Sequence, residues 1–168
     1  VEYAVIDAET RALAVRVLDA CRARGWKVAT AESCTGGLVA GALTEIAGSS
    51  DVVDRGFVTY SNAAKMAMLG VPETTLNMFG AVSRQTAEAM AQGALERAGV
   101  HLAVAITGVA GPGGGSAAKP VGLVHLVAAL GGGKAREIRE MHYGEIGRSE
   151  IRRRSVIEAL DMLLKLAA

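Results

Sequence analysis

The stretch Lys27-Val28-Ala29-Thr30-Ala31-Glu32-Ser33-Cys34-Thr35-Gly36-Gly37-Leu38-Val39-Ala40-Gly41-Ala42-Leu43-Thr44-Glu45-Ile46-Ala47-Gly48 decides how the rest of the chain is read. Lys27 to Glu32 predicts a strand. Ser33 to Gly37 then forms a tight turn, and Val39, Ala42, Leu43 and Ile46 recur at helical spacing until Gly48 ends the stripe. Strand, turn and helix in that order are the unit of an α/β protein.

Outward from this unit the alternation continues. Upstream, Ala14, Val17, Leu18 and Cys21 mark one face of a helix that Gly25 stops. Downstream, Phe57 to Tyr60 predicts a strand, Asn62 to Leu69 a short helix carrying Lys65, and Pro72 the start of another helical turn. Ser83 caps a helix with Ala87, Met90, Ala91, Ala94 and Leu95 on one face, closed by Gly99. Three strands follow, His101 to Thr107, Val121 to Leu130 and Ala135 to His142, with Gly132-Gly133 marking a hairpin. Val156, Ala159, Leu160, Leu163 and Leu164 give the last helix its core face. The expected architecture is a three-layer α/β/α sandwich around a mixed, mostly parallel sheet, in one domain over residues 1–168. Ligands in such sheets bind beyond the carboxyl ends of the strands. Ser33 to Gly37, Tyr60 to Lys65 and Thr107 to Gly115 all fall there.

Composition narrows the function classes. With 51% apolar and only 4% aromatic residues, 168 residues build a core mainly from Ala, Val, Leu, Ile and Met. Eighteen basic against 17 acidic residues give a net charge of +1, far from the footprint of a nucleic-acid binder. Cys21 and Cys34 match neither a metal-binding pair nor a disulfide scaffold, which points to a reducing, cytoplasmic compartment and away from zinc held through cysteine. The uncharged run Ala98 to Ala118 is interrupted by Gly108, Gly111, Pro112 and Gly113 to Gly115, so it falls short of the roughly 20 apolar residues of a membrane span. Val1 to Thr10 holds three acidic residues and no basic region, unlike a signal peptide.

For chemistry, Ser33 stands where a strand gives way to a helix, with backbone N–H groups of Thr35, Gly36 and Gly37 following it as candidate oxyanion donors. Serine needs a base. His101, His125 and His142 lie in strands and read as ordinary strand histidines; Lys65 is either a solvated helix lysine or, with its pKa lowered by burial, the base. Cys34 competes with Ser33 as nucleophile, and Thr35 reads as a helix cap. The glycine run from Thr107 to Ser116, with Lys119 beside it, suits a phosphate but lacks the order of a P-loop. Arg148, Arg152 and Arg154 form either a phosphate clamp or a charged face; Arg153 falls on another side. A non-catalytic nucleotide-binding module, a cysteine amidase and a Ser/Lys hydrolase of another amide remain open on these residues.

Ala31 to Gly37, Tyr60-Ser61-Asn62 with Lys65, Gly80 to Ser83, Thr107-Gly108 with Gly111 to Gly114, and Lys119 to Gly122 together resemble the CinA C-terminal family over nearly the whole chain. The resemblance implies a stand-alone nicotinamide mononucleotide deamidase, a cofactor-free Ser/Lys amidohydrolase of pyridine-nucleotide recycling, and a homodimer. It implies Ser33 as nucleophile, Lys65 as general base and Tyr60 as an orienting hydroxyl. Thr35, Gly36, Gly37, Thr107, Gly108, Gly113, Gly114 and Arg148 are the expected substrate-binding positions. The family's GGTPEKPVG stretch is changed here to Gly114-Gly115-Ser116-Ala117-Ala118-Lys119-Pro120-Val121-Gly122.

Overall fold

A computed structural model describes residues 4–133 and 135–168. Its elements follow the alternation read from the sequence. They are α1 (Ala8–Arg24), β1 (Val28–Glu32), α2 (Leu38–Thr44), β2 (Val53–Val58), α3 (Asn62–Leu69), α4 (Glu73–Phe79), α5 (Arg84–Ala98), β3 (Leu102–Gly108), β4 (Leu123–Leu130), β5 (Arg136–His142) and α6 (Arg148–Ala167). The sheet order is β2-β1-β3-β4-β5. β1 pairs in parallel with β2 and β3, and β4 is antiparallel to both β3 and β5, so only β4 runs against the common direction.

The strands carry different residues on their two faces. Val28, Leu102, Val104, Ile106, Val124 and Leu126 face α1, α2 and α6, where Leu18, Leu43, Leu160 and Leu163 fill a large core. The opposite face presents Ala29, Ala31, Ala103 and Ala105 to Ala87, Met90, Ala91 and Ala94 of α5. Small residues on both sides let α5 lie close to the sheet. Truncating a fully buried leucine such as Leu160 or Leu163 to alanine is expected to destabilise by about 2 to 5 kcal/mol.

Local signals explain the ends. Asp7 caps α1 by accepting from the Thr10 N–H at 2.8 Å, and Ser61 and Ser83 cap α3 and α5 in the same way. Gly93 has a packing reason: a Cβ there would overlap the Leu69 carbonyl, so glycine lets the end of α3 seat on α5.

Several boundaries differ from the sequence reading; β3 and β5 each begin one residue later than expected, at Leu102 and Arg136, and β3 ends at Gly108. β2 begins at Val53 and ends at Val58, not at Phe57 to Tyr60. It is an edge strand with Asp54, Arg55 and Gly56 exposed, so its first half lacks the apolar signature that sequence reading relies on. α2 stops at Thr44 rather than reaching Gly48, and a short 3-10 turn, Ser49–Asp51, leads into β2. The strand expected from Val121 starts at Leu123, after Gly122. The reading of Val1 to Thr10 falls partly on residues 1–3, outside the described residues. Among the described residues no helix is long and apolar enough to cross a membrane.

Candidate active site

Ser33 and Thr107 continue the alternation of Ala29-Ala31 and Ala103-Ala105, and so emerge on the α3/α5 face at the carboxyl ends of β1 and β3. The Ser33 N–H still donates to the Ile106 carbonyl at 2.9 Å, holding the first turn residue to the sheet. Beyond it the backbone turns sharply through Gly36 and Gly37, with φ of +57° and +102°, conformations that L side chains rarely adopt.

Lys65 reaches Ser33 from α3. It lies one turn into that helix, and helical side chains lean toward the N-terminus. Its chain therefore folds back over the loop it has just left. Nζ lies 3.1 Å from Ser33 Oγ, 2.9 Å from the Thr59 carbonyl and 3.4 Å from that of Tyr60. Lys65 is 1% exposed, with no carboxylate in salt-bridge distance among the described residues. Burial pushes its pKa below the ordinary lysine value of 10.5, opposed only by the nearby Cys34 sulfur.

Tyr60 and Arg148 close the other side. Tyr60 is the first exposed residue after the loop turns away from β2, and its hydroxyl accepts from Arg148 Nη2 at 3.0 Å. Arg148, the first residue of α6, also donates through Nη1 to the Gly111 carbonyl at 2.9 Å, tying the glycine run to the tyrosine. The Thr107 hydroxyl donates to the Ala81 carbonyl at 2.8 Å, fixing the wall formed by Ala81 and Val82.

These residues enclose a cavity of about 280 Å³, at the small end of the range for small-molecule sites. Of the positions expected from the sequence, Ser33, Lys65, Tyr60, Thr107, Gly108, Gly113, Gly114 and Arg148 line it together. Thr35, Gly36 and Gly37 do not. The Gly36 N–H is engaged by the Ser33 carbonyl at 3.0 Å, and the Thr35 hydroxyl turns away to Glu32. Cys34 lines the cavity, but burial raises its thiol to about 12, which leaves almost no thiolate near neutrality. A wider hollow of about 570 Å³ between α4, α5 and β4 contains the Glu88–Arg136 ion pair.

Several other candidates lie outside the cavity. Lys119 donates to the Phe79 carbonyl at the end of α4 and lines a separate hollow, so it is not the cation of the glycine run. Arg152 donates to the carbonyls of Cys34 and Thr35 and braces the turn from outside the cavity. Arg154 pairs with Glu150, and Arg153 with Glu150 and Asp7. His101 accepts from the Lys27 N–H and stacks on Trp26, while His125 and His142 stand near Glu140; none of the three lines the cavity. Thr35 is not the cap of α2. That role belongs to Glu32, whose carboxylate accepts from the N–H groups of Val39 and Ala40.

The family model for the CinA C-terminal domain matches residues 10–167. The chain is 48% identical over 153 residues to the nicotinamide-nucleotide amidohydrolase PncC of Enterobacter agglomerans, spanning 91% of this chain and 92% of that protein. It is 49% identical to the protein of the same name from Escherichia coli K12, over 94% of each chain. The crystal structure of the competence/damage inducible protein CihA from Agrobacterium tumefaciens superposes with a TM-score of 0.96 at 58% identity, covering 99% of this chain and 100% of that one. The chain belongs to the CinA C-terminal domain family.

Proposed function

We propose that this protein is a nicotinamide-nucleotide amidohydrolase that converts nicotinamide mononucleotide to nicotinic acid mononucleotide and ammonia. The observation that carries the reading is the 3.1 Å approach of a buried, carboxylate-free Lys65 amine to Ser33 Oγ in the lining of a cavity of about 280 Å³. The similarity to proteins named as nicotinamide-nucleotide amidohydrolases supplies the substrate.

An uncharged Lys65 donates its two N–H groups to the Thr59 and Tyr60 carbonyls and leaves its lone pair for the Ser33 hydroxyl proton. Ser33 Oγ attacks the carboxamide carbon as that proton passes to Nζ. The backbone N–H of Cys34, next in the chain and part of the cavity lining, is the donor for the oxyanion in this reading. The C–N bond breaks as Lys65 returns the proton to the leaving nitrogen, and ammonia departs. Lys65 then takes a proton from water, whose oxygen attacks the acyl-enzyme carbonyl, and regenerates Ser33 as the acid is released. Arg148 and the amides of Gly113 and Gly114 hold the phosphate away from the reacting bond.

The same reading carries one catalytic domain, a cytoplasmic homodimer, and no cofactor or metal. The free thiols of Cys21 and Cys34 suit a reducing compartment. The test is ammonia release from nicotinamide mononucleotide by wild type, Ser33→Ala and Cys34→Ala, each with chelator, alongside other amides, and light scattering for the assembly. Activity lost only in Ser33→Ala and restricted to the mononucleotide is expected. Full activity in Ser33→Ala, or turnover of another amide alone, contradicts the proposal.

A further inference from the structure

Glu32 is wholly enclosed, yet neither the sequence reading nor the reaction above uses it. It lies on the sheet face opposite Ser33 and accepts four hydrogen bonds. Oε1 takes the Thr35 hydroxyl at 2.6 Å and the Val39 N–H at 2.9 Å; Oε2 takes the Thr30 hydroxyl at 3.2 Å and the Ala40 N–H at 3.0 Å. One carboxylate therefore grips β1 through Thr30, the turn through Thr35, and the head of α2 through two of its first amides. The N-cap residue of α2, Gly37, has no side chain for that task. Space is kept for the grip at Gly56, where a Cβ would press on Thr30 Oγ1 and Ala40.

We propose that Glu32 is a positioning residue for the nucleophile, fixing the Ser33–Gly37 turn so that Oγ stays within reach of Lys65. The inference rests on the reading of Ser33 as the nucleophile. A carboxylate is required because all four of its partners donate. A glutamine of the same shape offers only one acceptor oxygen, and its NH2 is left facing a backbone N–H of α2 in either orientation. The turn then has to shift to separate two donors. A displacement of order 1 Å at a reacting atom is enough to lower turnover by about 10²-fold.

The decisive experiment compares wild type, Glu32→Gln, Thr35→Val and a stability control, Val17→Ala, which removes core volume between α1 and α6. Three quantities are read below the melting temperature of every variant: kcat and KM for ammonia release, the pH profile of kcat/KM, and the rate at which an aryl sulfonyl fluoride modifies Ser33, followed by mass spectrometry. Glu32→Gln is expected to lower kcat and the labelling rate together by about 10²-fold, with KM within a few-fold and the pH profile unmoved, because Lys65 is untouched. Thr35→Val, which removes one of the four bonds, is expected to give a smaller loss of the same kind; Val17→Ala is expected to lower the melting temperature without lowering kcat. Should Glu32→Gln fail to fold, Thr35→Val decides. Unchanged kcat and labelling in these variants, a loss confined to KM, or a displaced pH profile overturns the proposal. If the sulfonyl fluoride modifies wild type at a residue other than Ser33, the assignment of the nucleophile itself has failed.

Discussion

Two cations lie on opposite sides of the sheet, and the protein treats them differently. Arg139, on β5, is met by Glu158 at 2.7 Å, Asp161 at 2.8 Å and Glu137 at 3.2 Å, and these partners hold it firmly charged. Lys65 is buried more deeply, and its amine is hydrogen-bonded only to carbonyl and hydroxyl oxygens. Arg139 ties β5 to α6, where charge neutralisation contributes to stability. At Lys65 the missing counter-charge favours the neutral amine, which is useless as an ion-pair partner but competent as a base. Burial alone does not distinguish a structural cation from a chemical one; the neighbouring carboxylates do.

Substitutions sharpen the contrast. Ser33→Ala removes the atom Lys65 serves and is expected to lower kcat for ammonia release by at least about 10⁴-fold. Lys65→Met removes the base and is expected to lower kcat by about 10² to 10⁴-fold while leaving the fold intact. The same variant should be the more stable one near neutrality. Because the folded pKa of Lys65 lies below its unfolded value, the unfolded chain binds more protons between the two, and wild-type stability rises with pH across that interval. The advantage of Lys65→Met in urea unfolding is therefore expected to shrink as the pH is raised toward 10.5. Equal stability of the two proteins at every pH would break the comparison.

Arg148→Ala frees the Tyr60 hydroxyl and the Gly111 carbonyl and is expected to raise KM for the mononucleotide by about 10 to 10²-fold, as expected for loss of a charged contact worth some 1.5 to 3 kcal/mol. Arg139→Met should do the reverse of Lys65→Met. It leaves three partly hydrated carboxylates together and lowers stability by about 1 to 2 kcal/mol, with kcat unchanged. The smallest effect belongs to Cys34→Ala. Its thiol is held protonated by burial, so turnover is expected to change by no more than a few-fold; a complete loss would return the nucleophile to cysteine.

The positions of the candidate residues were legible in the chain because they stand at strand ends and helix heads that periodicity locates, whereas their roles came from the resemblance to the CinA C-terminal family. Ser33 follows an apolar strand, and Lys65 follows the Ser61 cap by one turn. Their supports were not legible. Glu32 entered the sequence reading only as the last residue of a strand, and the capless Gly37 together with the flanking Thr30 and Thr35 is the one signal that a carboxylate is needed there. Lys119 misled for the opposite reason: nearness in sequence to the glycine run suggested a shared ligand, but its amine reaches back across the chain to Phe79. The start of β2 was hidden because exposed edge residues follow solubility rather than strand alternation.

The central claim is that Lys65 works as an uncharged amine on Ser33. It is tested most directly by following the Lys65 side-chain ¹³Cε and ¹⁵Nζ resonances through a pH titration beside the acidic limb of kcat/KM. A Lys65 titration displaced below 10.5 and coincident with the kinetic limb is the expected result. An amine that titrates at the ordinary lysine value while the enzyme is fully active well below that pH would contradict it.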